Sequence, residues 1–163
     1  MTIKPVVSNA GPLIALAAIG HLDLLESLYA RVLVPEAVLR EVTQAGAMRV
    51  GAREVASAAY LEYVIVEPPP EPLLAKELGT GEAHVITLAQ RLGAQLTILD
   101  ERRARRIAEQ AYGLRIKGSA GLLVSAKRRG LIPSVRPLLD DMVRHGYFLS
   151  PRLIERAAAE AGE

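Results

Sequence analysis

The sequence contains no cysteine and no tryptophan, and it has only one phenylalanine and five tyrosines. Without cysteine, the chain forms no disulfide, no thiolate zinc site and no cysteine nucleophile. With so few aromatic side chains, a protein that binds single strands by stacking bases on an aromatic platform is not expected. No apolar run reaches the roughly 18 residues of a membrane span, and no secretory signal is visible. We therefore expect a cytoplasmic protein.

The chain has 163 residues, half of them hydrophobic, which predicts one compact domain over residues 1–163. Its net charge is only +2, but the charge is distributed unevenly. Between residues 102 and 136 there are ten lysines and arginines and a single acid. A basic half beside an acidic remainder indicates a polyanion bound next to a carboxylate site; the alternative is a solvated arginine-rich face.

Strand and helix signals alternate along the chain. Short β-branched and apolar runs predict strands at residues 5–8, 31–34, 63–66, 96–99, 114–117 and 147–149. Helical patterns lie at residues 12–19, 22–29, 36–43, 52–61, 81–92, 101–112, 120–129, 135–145 and 151–161. Ser134 is a predicted N-cap, residues 45–51 a loop and residues 67–72 (EPPPEP) a rigid connection. The alternation predicts a three-layer α/β/α fold with a central parallel sheet.

Parallel sheets bind ligands beyond the carboxyl ends of their strands, so the polar residues there are informative. Asn9 follows the first strand and Asp100 follows the strand at residues 96–99. Either side chain alone is also a good helix N-cap. Glu82 shares a helical face with Val85 and Ile86, which places a carboxylate at the start of a core-facing stripe. A plain first-turn glutamate is the alternative for Glu82.

Glu41 lies near the end of its predicted helix, where the helix dipole disfavours an acid. Such a carboxylate has a metal or basic partner, or it is simply exposed to solvent. Acids that converge at one sheet edge repel each other unless a hard cation such as Mg²⁺ or Mn²⁺ binds between them. The scattered histidines and missing cysteines disfavour zinc.

Several motifs, in their order along the chain, resemble those of PIN domains. Residues 6–14 read VVSNAGPLI, residues 34–38 read VPEAV, residues 81–83 read GEA and residues 99–101 read LDE. Ala104-Arg105, Gly118-Ser119 and the terminal Ala-Gly-Glu also fit. The pattern is similar in particular to the branch called DUF3368, which is related to VapC toxins.

This resemblance implies a metal-dependent ribonuclease whose site acids lie at positions 9, 41, 82 and 100. The chain has Glu41, Glu82 and Asp100 there, but Asn9 stands in place of the usual Asp. Glu101 is a candidate for the missing charge. Ser119 matches a polar site position, and the residues expected to hold the RNA with it are Arg102, Arg103, Arg106 and Lys117.

The resemblance further implies an RNA substrate, a possible antitoxin partner and a homodimer. The apolar stripe of the helix at residues 151–161 suits packing either on the domain itself or on a second subunit. Two other functions stay open at this point. One is a catalytically impaired PIN-like module that binds RNA or a protein, because Asn9 lacks the negative charge of Asp. The other is an unrelated doubly wound domain, such as a receiver or a nucleotide binder.

Overall fold

The computed structural model describes residues 3–44 and 50–163. Its centre is a five-stranded sheet in which every described pair of neighbouring strands is parallel. The strand order across the sheet is β3-β2-β1-β4-β5. The strands are β1 (Val6–Ser8), β2 (Val32–Pro35), β3 (Leu61–Val64), β4 (Leu96–Ile98) and β5 (Ile116–Lys117).

Helices connect these strands and flank the sheet, which confirms the predicted three-layer α/β/α fold. The helices are α1 (Ala10–Ala18), α2 (Leu24–Tyr29), α3 (Glu36–Gln44), α4 (Ala52–Ser57), α5 (Pro72–Leu78), α6 (Thr80–Leu92), α7 (Arg102–Tyr112), α8 (Ser119–Arg128), α9 (Arg136–Arg144) and α10 (Pro151–Glu160). No helix among the described residues is both long enough and apolar enough to cross a bilayer.

The core is built from apolar side chains on both sides of the sheet. β1 and β2 are buried over their whole length, as the central strands of a parallel sheet are when helices cover both faces. Val85 and Ile86 on α6 are completely buried, so this helix is anchored by its apolar stripe. Burying side chains of this size contributes about 1.5–3 kcal/mol each, and that anchoring fixes the first turn of α6 relative to the sheet.

The register of the sheet aligns the residues that follow the strands. Ser8 of β1 pairs with Ile98 of β4, and the backbone N–H of Asn9 donates to the carbonyl of Ile98 at 3.0 Å. The N–H of Leu99 donates to the carbonyl of Lys117 at 3.1 Å. The segments that begin at residues 9, 99 and 118 therefore lie side by side at one sheet edge.

Several local predictions were wrong. The helix predicted over residues 52–61 ends at Ser57, and β3 begins at Leu61 because the N–H of Val32 takes the carbonyl of Tyr60 as its partner. The strand predicted at residues 31–34 runs one residue further, so that Pro35 ends β2. The proline-rich connection ends in α5, whose first turn accommodates Pro72 because a first-turn N–H needs no helical partner.

Two further differences lie in the C-terminal third. The N-cap of α9 is Val135 and not Ser134. Residues 147–149 form no strand; they run between α9 and α10 without a sheet partner in the described part of the chain.

The loop predicted at residues 45–51 falls mainly on residues 45–49, which lie outside the described residues. The last helix agrees with the prediction, because Ser150 caps α10 by accepting from the N–H of Leu153 at 3.1 Å.

Candidate active site

Asn9 links the end of β1 to the start of α1 and is 94% buried, with a relative exposure of 6%. It occupies the N-cap position of α1, but its side chain accepts no capping hydrogen bond. Its Nδ2 instead donates to Oε1 of Glu82 at 3.3 Å. Its Oδ1 is buried and has no hydrogen-bond partner within the described chain. Capping therefore does not explain why an amide side chain lies here.

Glu82 comes to Asn9 from the first turn of α6, 73 residues further along the chain. The side chain is half-buried, and the buried stripe of α6 holds it over the sheet edge. Its negative charge is favoured there by the positive end of the helix dipole. The sequence pattern predicted this placement, and the structure brings Glu82 and Asn9 into direct contact.

Asp100 follows β4 and is held by three donors. Its Oδ1 accepts from the backbone N–H of Ser119 at 2.8 Å. Its Oδ2 accepts from the hydroxyls of Ser119 and Tyr147. The Ser119 N–H is one of the unpaired donors at the start of α8, so Asp100 caps that helix from a different element. The carboxylate is thus fixed in orientation at the sheet edge.

Tyr147 was missed by the sequence-based reasoning, which predicted only a short strand around it. Its hydroxyl reaches Asp100 across 47 residues, and it packs so closely over α1 that a Cβ on Gly11 would lie 3.0 Å from the hydroxyl oxygen. Gly11 lies two residues after Asn9. Tyr147 therefore contacts both Asp100 and the segment that carries Asn9. No local motif announces this contact, because it depends on how α9 and α10 pack.

Glu41 has a partner that the sequence did not reveal. Its Oε1 accepts from the backbone N–H of Gly81, at the start of α6, at 3.1 Å. A Cβ at Gly81 would lie 2.7 Å from both carboxylate oxygens, so only glycine permits this approach. The positive end of α6 therefore offsets the unfavourable position of Glu41 near the end of its own helix. Glu41 on α3 thus contacts the residue that precedes Glu82, and its Oε1 accepts a hydrogen bond from the backbone there.

Glu101 does not replace the missing charge at position 9. Its two carboxylate oxygens accept from the N–H groups of Arg103 and Ala104, at 3.0 and 2.7 Å, and so cap α7. This interaction directs the carboxylate to the backbone of its own helix. The negative charge in contact with Asn9 is that of Glu82, and Asp100 lies beyond the end of the neighbouring strand β4.

The predicted RNA-contacting residues fall into two groups. Arg102, Arg103 and Arg106 are exposed on α7, and Arg103 forms an ion pair with Glu77 at 3.3 Å. Lys117 is half-buried, and its Nζ donates to Oγ of Ser125 at 2.7 Å. Burial lowers the pKa of Lys117, and the nearby positive charges of Arg115 and Arg128 lower it further. Ser119 is fully buried, with its hydroxyl directed to Asp100.

The side chains at this sheet edge offer oxygen atoms as donors to a divalent metal. The described residues contain no group of three or more His, Cys, Asp or Glu side chains arranged to hold an ion. The amide oxygen of Asn9 is a further buried acceptor, and it lies on the side chain that contacts the Glu82 carboxylate. Buried acceptors are normally satisfied by protein, water or an ion. An all-oxygen donor set fits Mg²⁺ or Mn²⁺.

A comparison of the sequence with known protein families identifies the family of this chain. The family model DUF3368, described as a PIN domain, matches residues 5–163. No curated protein and no solved structure matches the chain. PIN domains have a nuclease-type fold and generally depend on a divalent metal. The match excludes the unrelated doubly wound domain that the sequence pattern left open. With its parallel sheet and its acidic edge, the chain belongs to the DUF3368 family of PIN domains.

Proposed function

We propose that this PIN domain is an endoribonuclease that depends on Mg²⁺ or Mn²⁺. The observation that carries the proposal is the Oδ1 atom of Asn9, which is buried beside the Glu82 carboxylate and has no hydrogen-bond partner among the described residues. A buried acceptor without a donor costs about 1–3 kcal/mol, and a hard cation removes that cost while it neutralises the adjacent acids. The family supplies the nuclease-type fold in which such a site acts on a phosphodiester bond.

Asn9, Glu82 and Asp100 are the residues that would hold the metal, with Glu41 next to them on the Glu82 side. The chemistry that such an ion would supply is a more acidic water molecule and stabilisation of negative charge on the phosphate. The chain's own residues orient the ligands: Asn9 Nδ2 holds Glu82, while Ser119 and Tyr147 hold Asp100. The RNA backbone would bind to the basic residues of α7.

Metal binding and cleavage by the purified chain test this proposal together. We expect Mn²⁺ to bind by calorimetry, and single-stranded RNA to be cut in Mg²⁺ or Mn²⁺ but not in EDTA. Glu82→Gln should lose both properties, because it removes the charge next to Asn9. Glu36→Gln is a matched control on α3, where Glu36 pairs with Arg40, and should retain both. Absence of both properties in the unmodified chain would refute the enzyme.

A second candidate function is an impaired PIN module that binds RNA or a protein without cutting. The observation in its favour is the neutral side chain at position 9, together with the lack of a three-acid cluster in the described residues. In that case RNA would bind equally well with Mn²⁺ and with EDTA, and no product would appear. The same calorimetry and cleavage assays therefore separate the two candidates.

The proposal extends to a single domain over residues 1–163, a cytoplasmic location and a toxin role with an antitoxin partner. It also includes a homodimer. The apolar stripe of α10 buries Ala157 and Ala158 against this same chain, so a dimer would use the remaining surface of that helix. Sedimentation at micromolar concentration tests the dimer: a monomer there would exclude it. Growth arrest on expression, relieved by a co-expressed partner, tests the toxin role.

A further inference from the structure

Arg105 differs from the other three arginines at the start of α7. Arg102, Arg103 and Arg106 are exposed, whereas Arg105 is half-buried. Its Nη1 donates weakly to the carbonyl of Leu99 at 3.5 Å. A Cβ on Gly118 would lie 2.5 Å from that Nη1 and 2.6 Å from Oδ1 of Asp100. The guanidinium and the Asp100 carboxylate thus approach the same glycine at the sheet edge, where a Cβ would displace one of them.

The guanidinium is poorly satisfied by the protein itself. In the part of the chain that the structure describes, no ion pair joins Arg105 to an acid, although Arg103 on the same helix has one with Glu77. Asp100 lies close by but forms no ion pair with Arg105 among the described residues, and its oxygens accept from Ser119 and Tyr147. A guanidinium has five N–H donors in a planar fork, and the described contacts use one of them weakly. The remaining donors of this half-buried guanidinium can bind an anion through charge-assisted hydrogen bonds.

The position on the helix also favours an anion. Arg105 lies in the first turns of α7, where the positive end of the helix dipole disfavours a cation. A negatively charged ligand at this edge would be attracted both by the positive end of the α7 dipole and by the half-buried guanidinium. The planar fork matches the oxygens of a phosphodiester with two parallel hydrogen bonds, which a lysine does not reproduce.

We propose that Arg105 binds a phosphodiester group of the RNA strand next to Asp100, and that it is the specific phosphate contact of the α7 arginines. The inference rests on the proposed function in one respect, namely that the ligand is RNA. Arg102, Arg103 and Arg106 then act as a general positive surface. A phosphate held by Arg105 lies beside the carboxylate that would bind the metal, which places the scissile bond at the reacting centre.

Binding of a short fluorescent 2′-O-methyl RNA, measured by anisotropy in EDTA, tests this without requiring cleavage. Arg105→Ala should weaken binding about tenfold, as expected for a lost charged hydrogen-bond pair. Arg106→Ala removes the same charge from the general positive surface of the same helix and should weaken binding by about twofold or less. Arg105→Lys should fall between, because it keeps the charge but loses the fork. Arg53→Ala, the matched control at an exposed position on α4, should leave binding unchanged.

The salt dependence sharpens the test. For Arg105→Ala, the slope of log affinity against log salt should become less negative by about 0.7, the value for one phosphate contact on a single strand. Equal losses for Arg105→Ala and Arg106→Ala would overturn the inference, since binding would then be non-specific. So would an Arg105→Ala variant that melts at a lower temperature but binds RNA normally, because Arg105 would then only brace the Leu99 carbonyl.

The inference and the proposed function fail in different ways. If the unmodified chain cuts no RNA in Mn²⁺ but the Arg105 effect on binding persists, the enzyme is refuted and the phosphate contact stands. If the chain cuts RNA and Arg105→Ala leaves both affinity and KM unchanged, the phosphate contact is refuted and the enzyme stands. A chain that binds no RNA at all overturns the inference outright.

Discussion

Two carboxylates in this molecule interact with distant helices in the same way, yet they lie in very different surroundings. Asp100 accepts from the N–H of Ser119 at the start of α8. Glu163 accepts from the N–H groups of Val135 and Arg136 at the start of α9, at 2.6 and 3.1 Å. Each side chain satisfies helix donors that the helix itself leaves unpaired.

The neighbours of the two carboxylates distinguish them. Glu163 also accepts from Nζ of Lys127 at 3.0 Å, so its charge is balanced within the protein. Asp100 is connected through Tyr147 to the segment that carries Asn9, whose amide oxygen has no partner among the described residues. Capping a helix does not by itself indicate that an acid has a role in function. The unsatisfied group nearby is the reason that we propose a binding site at Asp100 and a structural role for Glu163.

The largest expected effect is that of Asp100→Asn. The substitution removes one charge from a site that already has Asn9, so we expect Mn²⁺ affinity and RNA cleavage to fall at least about 100-fold. The amide oxygen still accepts from the Ser119 N–H, so the melting temperature should change little. Calorimetry, a cleavage assay and a thermal melt measure the three quantities. A variant that unfolds early while keeping its activity would show that Asp100 resembles Glu163 after all.

Asn9→Asp should sharpen the difference between the two regions. The new carboxylate faces Glu82 where an amide N–H donated before, so the metal-free protein should melt at a lower temperature. Added charge at the ligand position should strengthen Mn²⁺ binding about tenfold and speed cleavage, because both acids attract the ion. Melting with and without Mn²⁺ should therefore show a larger metal-induced increase than in the parent chain. If no metal binding appears, the binding-module function replaces the enzyme.

Glu163→Gln should do the opposite of Asp100→Asn. We expect the melting temperature to fall by about 5 °C while RNA cleavage per folded molecule stays unchanged. The hydrogen bond from Val135 N–H and the charge of Lys127 lower the pKa of Glu163 to about 2 from an ordinary 4.5. Its stabilisation is therefore complete above pH 4.5 and is lost as the pH falls toward 2. The difference in melting temperature between parent and variant should shrink over that interval; a constant difference would contradict the assignment.

The sequence alone predicted the fold and the polar residues that follow the strands, because both depend on local patterns. The parallel sheet came from alternating strand and helix signals, and Asn9 and Asp100 were found as the first polar residues after β1 and β4. It missed α5 because the preceding proline run predicted an irregular connection. The partner of Glu41 is a backbone N–H 40 residues away, and no side-chain pattern encodes such a donor.

Tyr147 shows the same limit at the site itself. Its neighbours have the apolar character of a strand, and its contact with Asp100 arises only when the segment between α9 and α10 packs over Gly11. Ser119 was identified through the family resemblance rather than through a motif of its own. The catalytic and metal-binding roles of these residues stay predictions, since the sequence and the fold together give their positions and not their chemistry.

The smallest expected effect is that of Tyr147→Phe, which removes one of the three donors to Asp100 and keeps the ring that packs over Gly11. Because Ser119 still supplies two donors, the carboxylate keeps its place with less restraint. We expect Mn²⁺ affinity and the rate of RNA cleavage to fall about threefold, within the range for a lost hydrogen bond. Tyr112→Phe, on a half-buried tyrosine of α7, is the matched control and should change neither. A loss as large as that of Asp100→Asn would make Tyr147 part of the reacting centre, and no change at all would mean that Ser119 alone fixes Asp100.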